Sequence, residues 1–155
     1  MARHKIEKRE IKSDPKYNSI VLEKFINHVM KGGKKETARR IVYDALALAE
    51  QKIKKPPMEI FSKVLKNISP QVEVKSRRVG GANYQVPCPV TGERKKFLAM
   101  IWILQAIKRK KGKNAMQKIS DEFIAAYNEQ GDAIKIKYNV ERMAEANRAF
   151  AYLSW

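Results

Sequence analysis

A single cysteine, Cys88, excludes an internal disulfide and any cysteine-based metal cluster. Histidine is nearly as scarce: His4 and His28 are the only two, and neither has a cysteine or aspartate at ligand spacing. No metal and no cofactor is therefore expected. Long apolar runs are missing too, since the longest, Phe97 to Leu104, falls well short of the roughly 20 residues a bilayer-spanning helix needs. The opening M-A-R-H-K-I-E-K-R-E has no apolar stretch and no small-residue cleavage site, and it contains acids, so a cytoplasmic location is expected. Gly32-Gly33-Lys34-Lys35 lacks the spacing and hydroxyl of a phosphate-binding loop. Asp121-Glu122 and Glu141/Glu145 read as solvated helix faces, so no enzymatic constellation is visible.

Acid is the other shortage. Against 33 lysines and arginines stand 16 aspartates and glutamates, a net charge of +17 in 155 residues. Such an excess repels itself unless an anionic partner neutralises it, and nucleic acid is the commonest partner of that kind. With 44% hydrophobic residues the chain has enough apolar material for one domain with a true core.

The chain organises around residues 72–90, V-E-V-K-S-R-R-V-G-G-A-N-Y-Q-V-P-C-P-V. Val72 and Val74 alternate with Glu73, Lys75 and Arg77, the chain turns at Gly80-Gly81, and alternation resumes through Tyr84 and Val86. This predicts a β-hairpin that must be packed on a body or held by a ligand, because two strands alone are marginal. Everything else has helical spacing. Residues 1–16 read as a flexible basic arm closed by Asp14-Pro15, and residues 17–155 as a single helical domain. A first helix carries Leu22, Phe25, Ile26, Val29 and Met30, capped by Asn18 or Ser19 and stopped at Gly32-Gly33. A second runs from Lys34-Lys35 to the prolines at 56–57, and a third from there to Pro70 with Ile60, Phe61, Val64, Leu65 and Ile68 inward. A fourth, capped by Thr91 and expected to be central, directs Phe97, Met100, Ile101, Leu104 and Ile107 inward. Asn114 caps a fifth, which stops at Gly131, and the last is predicted to continue from Ile136 through Met143 to Ala151. The fold class is mainly α, a bundle of about six helices with an inserted, projecting hairpin arm.

Cations gather at five separated places: Arg3, Lys5, Lys8, Arg9 and Lys12 in the arm; Lys34 and Lys35; Lys75, Arg77 and Arg78; Arg94, Lys95 and Lys96; and Lys108, Arg109, Lys110, Lys111 and Lys113. The fourth group is unusual, because cations at a helix N-terminus oppose its dipole unless something else holds them. At the hairpin tip, Arg78, Gly80, Gly81, Ala82, Asn83 and Tyr84 offer a guanidinium, close backbone approach, an amide and a ring, groups that bond to or stack on unpaired bases. Scattered patches fit a folded RNA junction better than a DNA duplex, and no helix-turn-helix with a base-reading second helix is evident, which leaves a helical DNA-binding regulator as the alternative.

Two motifs carry a resemblance. Val74-Lys75-Ser76-Arg77-Arg78-Val79-Gly80-Gly81 with Tyr84-Gln85-Val86-Pro87, and the run Arg142-Met143-Ala144-Glu145-Ala146-Asn147-Arg148-Ala149-Phe150-Ala151, resemble the bacterial-type seventh protein of the small ribosomal subunit, with similarity along essentially the whole chain. Glu141, Cys88-Pro89 and Leu153-Ser154 depart from the family pattern. The resemblance implies a non-enzymatic structural protein in which all five cation groups contact the 3′ major (head) domain of small-subunit ribosomal RNA. It implies that the hairpin tip lies beside exit-site transfer RNA and the messenger exit path. It further implies that the C-terminal end, with Arg148, Tyr152 and Trp155, faces the eleventh small-subunit protein, and that the chain can repress translation of its own messenger.

Overall fold

The computed structural model describes residues 10–154, so Arg3, Lys5, Lys8, Arg9 and Trp155 lie outside the described residues. Within them the order is α1 Ile20–Val29, α2 Lys35–Ile53, α3 Pro57–Ile68, β1 Val72–Val79, β2 Ala82–Pro89, α4 Gly92–Arg109, α5 Ala115–Tyr127 and α6 Asp132–Ala146, followed by a 3-10 helix, Arg148–Leu153. The class is the one the sequence predicts: helices with one antiparallel hairpin.

Local chemistry places most boundaries. Ser19 caps α1, its hydroxyl accepting from the Leu22 amide at 3.3 Å. Pro57 opens α3, where a missing amide hydrogen costs nothing. Asn114 caps α5 by accepting from the Gln117 amide at 2.8 Å. Gly80 and Gly81, with φ of 57° and 89°, supply the two left-handed residues of a tight hairpin turn between paired Val79 and Ala82.

The core is built where helical faces meet. Phe25 of α1, Phe61 of α3 and Phe123 of α5 contact one another at centroid distances of 5.6, 5.8 and 6.1 Å, all fully buried or nearly so. Each such pair adds about 0.5–1.5 kcal/mol beyond area burial. Helix α4 packs on α1, α3, α5 and α6, but the buried side differs from the expected one. Ala99, Met100, Trp102, Ile103 and Ala106 are inside, whereas Phe97 is 39% exposed and Ile101, Leu104 and Ile107 sit at the boundary. Apolar residues surround this helix almost completely, so its period does not single out one face.

The last helix is also shorter than predicted. It ends at Ala146, and Asn147 turns the chain into the 3-10 helix, which packs on β2. There Leu153 joins Val86 and Cys88 in a small second core, flanked by Val79, Tyr84 and Phe150. Met143 is consequently half exposed. With α6 against both strands, the hairpin base is a supported ribbon.

Two acids expected at the surface are inside. Glu122 is fully buried and accepts from the Ala133 amide at 2.9 Å, placing a carboxylate at the N-terminus of α6, where the helix dipole favours it. Asp14, assigned to the arm, is also buried, and accepts from Tyr43 Oη at 2.5 Å and the Tyr17 amide at 2.9 Å. Burial and then the bond to Asp14 push the Tyr43 phenol up to about 12.

Gly131 makes the Glu122 contact possible. Its φ of 101° and ψ of 170° are open almost solely to glycine, and a Cβ there would come within 2.9 Å of Glu122 Oε1 and 3.0 Å of Ala125 Cβ. Gly131→Ala is expected to lower stability by about 1–3 kcal/mol in urea unfolding without loss of helical circular dichroism. An unchanged midpoint would show that this corner is not under constraint.

Candidate nucleic-acid interface

The cations fall into two physical groups. Those of the first are held by the protein's own acceptors, carboxylates in every case but Lys95. Glu23, 3% exposed, receives Lys35 and also Arg39 at 3.4 Å. Glu73, 8% exposed, receives Lys75 at 3.1 Å and Arg94 at 3.0 Å, the latter also donating through Nε at 3.1 Å. Glu122 receives Lys110 at 2.5 Å. Asp121 receives Lys113 at 2.5 Å. Lys95 donates to Gln71 at 2.6 Å. Two of the three cations opposing the dipole of α4 are thus fixed by groups at the hairpin base, Glu73 and Gln71, which accounts for their position.

These pairings shift the acids. Burial would raise the Glu73 carboxyl, but hydrogen bonds from Lys75 and Arg94 outweigh it and hold the group below the ordinary glutamate range. Asp121 is likewise lowered, chiefly by its bond from Lys113.

Lys75, Arg94 and Lys113 are held in this way although exposed, whereas the second group faces solvent without such a partner among the described residues. Lys12, Lys34, Arg78, Lys96, Lys108, Arg109 and Lys111 are all exposed. They lie in the segment before α1, at the start of α2, on the hairpin and at both ends of α4. Sequence patterns locate all these clusters but do not separate committed from available charge, because the acids that make the difference look like ordinary surface residues.

At the hairpin tip, Gly80, Gly81, Ala82 and Asn83 are exposed, and Arg78 stands opposite Asn83. Arg77 pairs across the ribbon with Tyr84, and cross-strand partners share a face. Tyr84 is not a free stacking platform: it is half-buried and packs on Phe150 at 5.1 Å between centroids. At the C-terminal end Arg148 reaches Glu145 at 3.5 Å, and Tyr152 is 77% exposed. Lys63 over the Tyr127 ring at 3.8 Å and Lys137, which donates to the Asn67 carbonyl at 2.9 Å, are further cations that the sequence clusters did not include.

No group of three or more histidines, cysteines, aspartates or glutamates among the described residues is arranged to hold a metal ion. No helix among them is long and apolar enough to cross a membrane. A basic helical bundle with a supported hairpin and a distributed set of exposed cations defines a nucleic-acid-binding class of protein.

Comparison with known proteins narrows the class. The family model described as ribosomal protein S7p/S5e matches residues 1–148. Similar curated proteins include those of Chloroflexus aurantiacus, 52% identical over 150 residues that cover 97% of this chain and 96% of the relative, and Thermotoga maritima, 48% identical over the full length of both. That of Methylobacterium radiotolerans is 47% identical over 153 residues, covering 99% and 98%. All three carry the name small ribosomal subunit protein uS7. The chain belongs to the ribosomal protein S7p/S5e family, whose members are structural proteins of the ribosome and not enzymes.

The lowered Glu73 carboxyl gives a pH signature. A folded-state pKa below the unfolded value contributes stability above the unfolded pKa, and that stability is lost as pH falls through the folded value. Glu73→Gln should therefore be less stable than the parent at neutral pH, and the difference should shrink as pH falls through and below the ordinary glutamate range, where the carboxylate itself becomes protonated. A difference independent of pH in urea titrations would contradict the ion-pair account.

Proposed function

We propose that the chain is a structural component of the small ribosomal subunit that binds and organises the head domain of its ribosomal RNA. The observation that carries this reading is the exposed cation set, Lys12, Lys34, Arg78, Lys96, Lys108, Arg109 and Lys111, on a chain of this family. Phosphate neutralisation by those side chains supplies affinity, and their fixed spacing on a rigid bundle supplies recognition of RNA shape. The clamped cations, Lys35, Lys75, Arg94, Lys95, Lys110 and Lys113, position the loops and add charge at close range. Arg3, Lys5, Lys8 and Arg9, outside the described residues, add further positive charge to the chain.

The hairpin tip, from Arg78 through Gly80, Gly81, Ala82 and Asn83 to Tyr84, is placed by this proposal beside exit-site transfer RNA and the messenger exit path. Its support by the terminal 3-10 helix favours a fixed wall over a mobile clasp. The C-terminal end, with exposed Arg148 and Tyr152, is assigned to the eleventh small-subunit protein, and repression of its own messenger follows if that messenger presents a similar junction. The cytoplasm is the compartment that goes with this role.

Binding to a transcript of the small-subunit RNA head junction, measured across a salt series with duplex DNA of equal length as competitor, tests the proposal. With roughly five to eight phosphate contacts the log–log slope should be about −4 to −6, and RNA preference should persist at high salt. Equal binding to both nucleic acids would reduce the protein to a generic polycation and restore a DNA-binding regulator.

A further inference from the structure

Beside the cation set lies an apolar feature that phosphate neutralisation does not use. Between α1 and α3 a cavity of about 320 Å³ is lined by Val21, Met58, Phe61 and Leu65 with Lys66 and Lys96 at its rim. Between α1 and α4 a second cavity, about 230 Å³, is lined by Ile11, Val21, His28, Phe97 and Met100. Val21 and Lys96 line both, so the two form adjoining lobes of one trough. Apolar groups stand open along it, with Phe97 39% and Ile11 38% exposed.

We infer that this trough receives unpaired bases of the bound RNA, one against Phe97 in the smaller lobe and a neighbour in the larger, with the connecting phosphate on Lys96. The inference rests on the proposed RNA-binding role and names what the apolar part of that surface recognises. Two observations select the occupant. The Phe97 ring meets His28 edge-on at 5.4 Å and carries the Arg94 guanidinium over it at 5.1 Å, yet the residue remains 39% exposed, so it is a held aromatic surface beside bound positive charge with ring area still open. The rim is cationic: Lys66 and Lys96 are exposed, and the single carboxylate on the lining, Glu93, is paired with Lys24 at 2.8 Å. Flat apolar faces joined by an anionic backbone match that combination, and every base has such a face.

The test uses the full chain and the head-junction transcript. Phe97→Leu removes the ring without changing charge, and Ser62→Leu, on the exposed lip of the larger lobe, fills space without offering a π face. Each should weaken binding about tenfold while leaving the salt slope unchanged, because stacking releases no counterions. Lys96→Gln should instead lower the slope by about one. Unaltered affinity in both leucine variants, with helical circular dichroism intact, would overturn the trough as a base site while leaving the RNA-binding role standing. A change of elution volume in either variant's gel filtration, without an affinity change, would overturn it in favour of contact between copies. Failure of the parent chain to bind the transcript would remove the functional reading and this inference with it.

Discussion

The structure depends on buried carboxylates holding charges of the opposite sign. With 33 cations and 16 acids the chain folds against its own repulsion, and it uses some of its few acids where they count most. Glu23 ties the start of α2 to α1, Glu73 ties the start of α4 to the hairpin, and Glu122 ties the corner after α4 to the N-terminus of α6. Each acid joins two elements and lies in a low-dielectric setting, where removal of one partner costs more than any surface pair would. The result is a set of loops whose basic residues have defined positions before any RNA arrives.

That arrangement links stability to recognition. A folded RNA junction presents closely spaced phosphates in a fixed pattern, and flexible lysines on mobile loops would lose conformational entropy on meeting it. Here the committed cations hold the loop bases, so the exposed ones, such as Lys34 beside Lys35 and Lys111 beside Lys110, sit on backbone that is already ordered. The hairpin follows the same logic, since the Val86–Cys88–Leu153 cluster and α6 support a ribbon that would be marginal alone.

Much of this was legible in the sequence. The stripes Leu22–Phe25–Ile26 and Ile60–Phe61–Val64–Leu65–Ile68 are buried as their spacing predicts, and glycines and prolines mark the hairpin turn and the opening of α3. Three things were not legible, each for a physical reason. The inner face of α4 was misplaced, because Phe97, Ile101, Leu104 and Ile107 compete with Ala99, Trp102, Ile103 and Ala106 on a helix with apolar residues all round, and the spacing favoured the wrong set. The break at Asn147 has no glycine or proline to announce it, and follows from Phe150 and Leu153 finding partners on β2, a long-range contact. The burial of Asp14, Glu23, Glu73 and Glu122 depends on neighbours distant in sequence, such as Arg94 for Glu73 and Tyr43 for Asp14. For the candidate site, pattern reading found nearly all the cation clusters but not which of their charges the protein already uses.

That division is open to direct measurement by lysine acetylation followed by mass spectrometry, on the free chain and on its complex with the head-junction transcript. The account predicts slow modification of Lys35 and Lys110 in both states, because Glu23 and Glu122 hold them, and strong protection by RNA at Lys34, Lys96, Lys108 and Lys111. Fast modification of Lys35 and Lys110 in the free chain, or protection confined to them on binding, would contradict it.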